Sequence, residues 1–230
     1  MTAQVSASGR PLRPADRRLI VLRHGITADN ARGVWQGHLN TPLSPQGRDQ
    51  AVAVAATIAA YRPSLIVSSD LDRAADTARV LARECQLELR LDDRLREVNA
   101  GQWQGLSAAA VREGFPQLSA ALERGEDLQR GVDGERLSDV ARRAGQVGRE
   151  VGESLAAGQL AVLVTHGVAA RALVADLTGI PQQAAWLGLS GLGNCNWGEL
   201  REHDGRWRLY AWNMTARGSH HDDRGEQSAY

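Results

Sequence analysis

Residues Leu19–Asn30 read LIVLRHGITADN. Four aliphatic residues, Leu19-Ile20-Val21-Leu22, stop abruptly at Arg23-His24-Gly25, with Thr27 and Asn30 following. A continuous apolar run bounded by polar sequence reads as a strand buried on both faces, the habit of parallel sheets. In open α/β sheets, ligands gather at the carboxyl ends of such strands. A cation and an imidazole delivered there by a rigid strand point to anion chemistry, and the glycine lets the backbone turn tightly beside them. A strand that merely ends in a charged turn would look the same, because a three-residue motif also matches by chance. The remaining sequence has to discriminate.

The same grammar recurs twice. Leu65-Ile66-Val67 runs into Ser68-Ser69-Asp70, with a helix predicted over Asp72–Glu84. Leu160–Val164 runs into Thr165-His166-Gly167, and a helical pattern, VAARALVADLTG, begins at once. Ser44-Pro45 reads as the N-cap and first residue of a helix reaching about Tyr61. A further strand is predicted near Leu87–Leu91 and a long helix over Leu137–Ala156. Cys195–Asn213 alternates around His203-Asp204-Gly205, a hairpin signal. Residues 106–130 are helical but interrupted by Gly114-Phe115-Pro116 and Gly125, and read as a cap over the site. Together these predict an α/β fold, a three-layer α/β/α sandwich with a mainly parallel sheet, an antiparallel edge and a small helical cap insertion. The predicted organisation is a flexible leader over 1–16, one domain over 17–214 with the cap at about 106–134, and a disordered tail over 215–230. His220-His221-Asp222-Asp223 falls in that tail and reads as disordered rather than as a metal tract.

Length and composition bound the rest. The 230 residues, 43% of them hydrophobic, suffice for one sizeable core. The net charge is zero and all 27 basic residues are arginine. No global field favours nucleic acid or an anionic membrane as partner, so affinity for anions must come from local arginine placement. Cys85 and Cys195 form neither a metal-site pattern nor a disulfide framework. The first residues lack the apolar core of a signal peptide, and no apolar run is long enough to cross a bilayer. The expectation is a cytoplasmic protein with a small-molecule ligand, with room for a homodimer.

If the three strands are parallel neighbours, Arg23, His24, Arg73 and His166 converge at one sheet edge. That convergence suits phosphoryl transfer to an imidazole. A neutral ring nitrogen is a good nucleophile at pH 7, and a covalent phosphohistidine splits the displacement into two easier steps. The transferring group spreads negative charge over its equatorial oxygens. Arg23 and Arg73 can grip those oxygens with planar, permanently charged forks. His166 precedes a helix, whose free N–H groups also favour an anion. Asn30 can donate a further hydrogen bond. Such a design calls for no metal and no cofactor.

At this point the chain resembles the histidine phosphatase superfamily, also called the phosphoglycerate mutase-like family. R-H-G-x-T-x-x-N matches Arg23–Asn30, and Q-G-x-x-x-x-P-L-S-x-x-G matches Gln36–Gly47. S-S-D-L-x-R-A-x-x-T-A matches Ser68–Ala78, L-x-E matches Leu95–Glu97, G-x-W-x-G matches Gly101–Gly105, and T-H-G matches Thr165–Gly167. The motifs keep their order from residue 19 to about 170. The resemblance implies His24 as nucleophile, with Arg23, Arg73 and His166 around the phosphate and Glu97 as general acid. It places Asn30, Thr27, Gln36, Gly37, Gly167 and Val168 on the substrate side. Ile26 departs from the family's polar residue and is expected to alter one pocket wall. Asp133-Gly134-Glu135 replaces Gly-Gly-Glu before the long helix.

Mutases of the family carry E-R-x-Y-G and a later arginine pair in a long insertion. Here Glu97 is followed by Val98-Asn99-Ala100-Gly101, the insertion is short, and Arg112, Arg124 and Arg130 read as solvated. A phosphatase is therefore favoured, with a mutase and an inactive phospho-ligand binding protein as alternatives. The segments IVSSDLDRAADTA, GQWQGLS, GLGNCNW and RWRLYAWN are similar to family phosphatases acting on phosphoglycerate-type esters such as glucosyl-3-phosphoglycerate. His38 and His203 read as solvated. Trp103, Trp197, Trp207 and Trp212 read as packing residues, and Trp35 as the aromatic placed to stack on a sugar ring.

Overall fold

Each aliphatic run singled out above is a strand because both of its faces are covered. The computed structural model describes residues 16–216; most of the expected leader and tail, and the His220–Asp223 run, lie outside them. The elements are β1 (Arg17–Arg23), α1 (Ala28–Ala31), α2 (Pro45–Ala59), β2 (Leu65–Ser68), α3 (Asp72–Cys85), β3 (Leu89–Leu91), α4 (Ala108–Gly114), α5 (Pro116–Glu123), α6 (Leu137–Ser154), β4 (Leu160–Thr165), α7 (Gly167–Thr178), α8 (Gln182–Gly188), β5 (Trp197–His203) and β6 (Arg206–Met214). Among the described residues they build a six-stranded sheet in the order β3-β2-β4-β1-β5-β6. β3, β2, β4 and β1 are mutually parallel, and β5 and β6 add the antiparallel edge. No helix in this span is long and apolar enough to cross a membrane.

Alternation along the strands sorts the core into two layers. Leu19 and Val21 face Ala144, Val147, Leu173 and Val174 of α6 and α7. Ile20 and Leu22 face Val54, Ile58, Ala78 and Leu81 of α2 and α3. The hairpin turns at Asp204 and Gly205, both at positive φ (51° and 74°), the geometry that an Asp-Gly pair supplies. Ser44 caps α2, its hydroxyl accepting from the Gly47 N–H at 3.0 Å.

Gly47 also fixes how α2 meets the turn after β1. A Cβ on Gly47 would lie 2.1 Å from the Ile26 carbonyl oxygen, and one on Gly25 would lie 2.4 Å from the Gly47 carbonyl oxygen. That Ile26 carbonyl accepts from the Ser44 N–H at 3.0 Å, so displacing it also loosens the helix cap. Gly47→Ala is expected to destabilise the fold by about 1–3 kcal/mol. Gly188→Ala, where an added Cβ meets nothing within 4 Å, is expected to stay within about 0.5 kcal/mol. Urea unfolding of both variants tests this; equal stabilities would contradict the close-approach account.

Candidate active site

The strand register delivers the two histidines together. Arg23 pairs with Thr165 across β1 and β4, so the next residue of each chain segment, His24 and His166, leaves the sheet side by side. Their ring centroids are 5.0 Å apart, edge to face. Ser68 pairs with Val164 on the other side of β4, which brings the Ser69 hydroxyl to 2.9 Å from His166 Nε2.

His24 is 2% exposed. Its Nδ1 lies 2.7 Å from the Gly25 carbonyl oxygen. A carbonyl can only accept, so Nδ1 carries the proton and Nε2 keeps its lone pair. Burial, and then the positive fields of Arg73 and Arg23, hold the imidazole well below its usual pKa. His166 is held down by burial first and then by Arg73. Both rings are therefore neutral at pH 7, which is the state a nucleophilic imidazole needs.

The cations around His24 are fixed by main-chain carbonyls. Arg23 donates Nη1 to Leu192 at 2.6 Å. Arg73, 1% exposed, donates Nη1 to Leu39 at 2.7 Å and Nη2 to Gly37 at 2.8 Å. Gly37 has φ +51°, and a Cβ there would lie 2.3 Å from Gln104 Oε1; only glycine keeps its carbonyl in reach of Arg73. Asn30 spends its Oδ1 on the Thr27 N–H and hydroxyl, both at 3.1 Å, which leaves its amide N–H groups for an anion. The cavity is lined by Arg23, His24, Asn30, Trp35, Gln36, Gly37, Arg73, Glu97, Val98 and Val168.

Glu97 sits against the first turn of α7. Oε1 accepts from Val98 N–H (2.9 Å) and Ala169 N–H (3.0 Å), and Oε2 accepts from Val168 N–H (3.1 Å). Its main-chain carbonyl is gripped twice, by Arg143 Nη2 and by His38 Nε2, each at 2.8 Å. Arg143 also donates to the carbonyls of Arg94 and Arg96 and pairs with Glu135 at 2.8 Å. Burial works against the Glu135 carboxylate, yet the Arg143 hydrogen bond and charge hold its pKa below the usual range. The Glu135 carboxylate in turn accepts from Asn99 N–H at 2.8 Å, so the segment carrying Glu97 is fixed along its length.

The structure thus gathers Arg23, His24, Arg73 and Glu97 around one cavity, with the His166 ring edge to face with that of His24 and not among the lining residues. The His166 Nδ1 is buried without a hydrogen-bond partner. Asn30, Gln36, Gly37 and Val168 line the cavity; Gly167 lies beside it, where an added Cβ would be 3.6 Å from Arg23 Nε. Thr27 is fully buried and caps α1, and its hydroxyl reaches Gln36 Oε1 at 3.0 Å, so it orders the wall without lining it. Ile26 is 8% exposed and does not line the cavity. Its main chain bonds Gln50 and Ser44 instead, so the expected change of pocket wall does not follow.

Three polar residues depart from their sequence reading. His38 is partly buried on the Glu97 carbonyl rather than solvated. His203 is 25% exposed, 3.8 Å from the Asp16 carboxylate. Arg130 is 1% exposed, while Arg112 and Arg124 are exposed as expected. Arg143 escaped the sequence reading because it acts on main-chain carbonyls nearly fifty positions away, a relation without a local pattern. Cys195 is buried, with its thiol pushed up to about 12, and is inert. Among the described residues no three His, Cys, Asp or Glu side chains gather so as to hold a metal ion.

A sequence profile of the histidine phosphatase superfamily (branch 1) matches residues 19–215. The chain is 41% identical to a glucosyl-3-phosphoglycerate phosphatase of Mycolicibacterium vanbaalenii, over 87% of this chain and 96% of that one. It is also 41% identical to the enzyme of the same name from Mycobacterium tuberculosis, over the same shares. A solved mycobacterial glucosyl-3-phosphoglycerate phosphatase in complex with VO3 superposes with a TM-score of 0.81 at 42% identity, covering 86% of this chain and all of that one.

The buried imidazoles predict a pH dependence of stability. His24, His166 and, through burial, His38 all have folded pKa values below the ordinary 6.5. Just below pH 6.5 the unfolded chain therefore binds more protons than the folded one, and stability falls as pH drops. The two fully buried rings, His24 and His166, each add a slope approaching about 1.4 kcal/mol per pH unit below that point, and the partly exposed His38 adds less. Urea unfolding of the phosphate-free protein between pH 7.5 and 5.5 is expected to show this slope, and His24→Asn to flatten it. An unchanged slope in the variant would contradict the neutral, buried ring.

Proposed function

The chain belongs to the histidine phosphatase superfamily, and from that premise we propose that it hydrolyses a phosphoglycerate-type monoester such as glucosyl-3-phosphoglycerate through a phosphate carried on His24. It is a phosphoric monoester hydrolase; the substrate follows the relatives named above. The observation that carries the mechanism is the 2.7 Å contact from His24 Nδ1 to the Gly25 carbonyl, which leaves Nε2 as the nucleophile beside Arg23 and Arg73.

The Nε2 lone pair attacks phosphorus and the bond from phosphorus to the ester oxygen breaks. The Arg23 and Arg73 guanidiniums hold the equatorial oxygens as charge spreads over them. The buried His166 Nδ1, which has no protein partner, is satisfied by one of these oxygens. As the ring acquires phosphate it becomes cationic, and the Nδ1–H bond to the Gly25 carbonyl strengthens. Glu97 gives its proton to the departing alkoxide, then takes one from water, whose oxygen attacks the phosphohistidine. The P–N bond breaks, inorganic phosphate leaves, and the imidazole is neutral again. The two free thiols, Cys85 and Cys195, suit a reducing cytoplasm.

Phosphate release, in chelator, from glucosyl-3-phosphoglycerate, 3-phosphoglycerate and several sugar phosphates tests this reading. The glucosylated ester is expected to react fastest. Movement of phosphate within the acid, with no release, would identify a mutase instead. His24→Ala is expected to lose about three orders of magnitude or more in turnover while remaining folded. Glu97→Gln is expected to slow alkyl esters by roughly a hundredfold or more and p-nitrophenyl phosphate far less, because that leaving group needs no proton. Equal losses on both ester types in kcat/KM, which reports transfer to His24 and not the later water step that Glu97 also serves, would remove Glu97 from the acid role.

A further inference from the structure

Two carboxamides line the cavity beside His24, those of Asn30 and Gln36. The oxygen of a carboxamide only accepts and its NH2 only donates, so the way each one turns decides whether an anion there is attracted or repelled. Asn30 is held from three directions. Its Oδ1 takes the Thr27 N–H and hydroxyl, both at 3.1 Å, and the Asn194 amide at 3.3 Å. Asn194 also donates to the His24 carbonyl at 3.0 Å, which ties Asn30 to the nucleophile's own main chain.

Gln36 is held once. Its main chain is anchored, since its carbonyl accepts from the Leu39 N–H at 2.8 Å and the next carbonyl, of Gly37, accepts from Arg73. Its carboxamide has a single partner among the described residues, the Thr27 hydroxyl, 3.0 Å from Oε1. That hydroxyl accepts from the Asn30 N–H at 3.1 Å and has one proton to share between Asn30 Oδ1 and Gln36 Oε1. Without it Asn30 Oδ1 keeps two donors, and Gln36 Oε1 keeps none. Thr27 is completely buried, so solvent does not take the hydroxyl's place.

With Oε1 turned to Thr27, the Gln36 Nε2 is left to the cavity. Apart from the nucleophile and Glu97, every polar side chain of the lining then offers donors: the guanidiniums of Arg23 and Arg73 and the NH2 groups of Asn30 and Gln36. A phosphoryl group in transfer presents acceptors, its charge spread over the equatorial oxygens. Turned over, Gln36 would set a carboxamide oxygen against them. We propose that Thr27 is a positioning residue for phosphoryl binding: its buried hydroxyl holds the Gln36 carboxamide with Nε2 towards the cavity and so keeps that wall free of opposing acceptors. The ligand such a wall fits is an oxyanion with no proton on the oxygens it presents.

The positioning role rests on the phosphatase reading, and Thr27 also caps α1, so the test has to separate three things. A double-substitution cycle does so, with calorimetric affinity for inorganic phosphate as the readout. Thr27→Val keeps the shape of threonine without the hydroxyl and is expected to weaken phosphate roughly tenfold; Thr27→Ala removes the hydroxyl a second way. Thr27→Ser keeps it and is expected to stay within about twofold of wild type. In the Gln36→Leu protein there is no carboxamide to orient, and Thr27→Val is expected to add less than about twofold. A loss that came from the helix cap would appear in full in both backgrounds. Equal losses in both, no loss when the hydroxyl is removed, or a loss in Thr27→Ser as large as in Thr27→Val would overturn the positioning role and leave the phosphatase reading standing. Failure of the wild-type chain to bind phosphate would overturn that reading and this role with it.

Discussion

A neutral imidazole kept dry between two guanidiniums is the constraint on which the rest of the site depends. Desolvation and the fields of Arg23 and Arg73 both disfavour a proton on His24, and the Gly25 carbonyl decides which nitrogen keeps the one proton present. Neither effect survives a small displacement. The main chain of β1 is therefore registered against β4 up to Arg23 and Thr165, and Gly25 and Gly47 let the following turn close onto α2. Rigid strands position His24, and the glycines allow the chain to leave the sheet immediately after it.

The surroundings of Glu97 are built differently. Glu97 lies on an irregular segment between β3 and α4, so its position cannot come from a ladder of strand hydrogen bonds. It is held from outside, through N–H groups opening α7 on the carboxylate and through Arg143 and His38 on its own carbonyl. Backbone interlock adds to this: Glu135 N–H donates to the Asn99 carbonyl at 2.8 Å and Gln102 N–H to the Gly131 carbonyl at 3.0 Å. Residues 131–135 and the segment carrying Glu97 are thus hydrogen-bonded to one another.

What the sequence made legible follows from which contacts are local. β1, β2 and β4 could be read because interior parallel strands must be apolar on both faces, and the residues ending them, His24, Ser69 and His166, inherit their places from the register. The hairpin was legible in Asp204-Gly205. α8 was not: its seven residues have no side-chain cap and no apolar period long enough to count. Arg143 and His38 were equally invisible, since their partners are main-chain carbonyls remote in sequence.

The central claim is that phosphate passes through Nε2 of His24. Rapid quenching of the enzyme with a phosphorus-32-labelled ester, followed by peptide mapping and phosphorus NMR of the isolated phosphopeptide, tests it most directly. The account predicts an acid-labile, base-stable phosphate on His24, attached at Nε2. Phosphate attached at Nδ1 or on another residue, or a burst-free reaction with no phosphoenzyme during turnover, would contradict it.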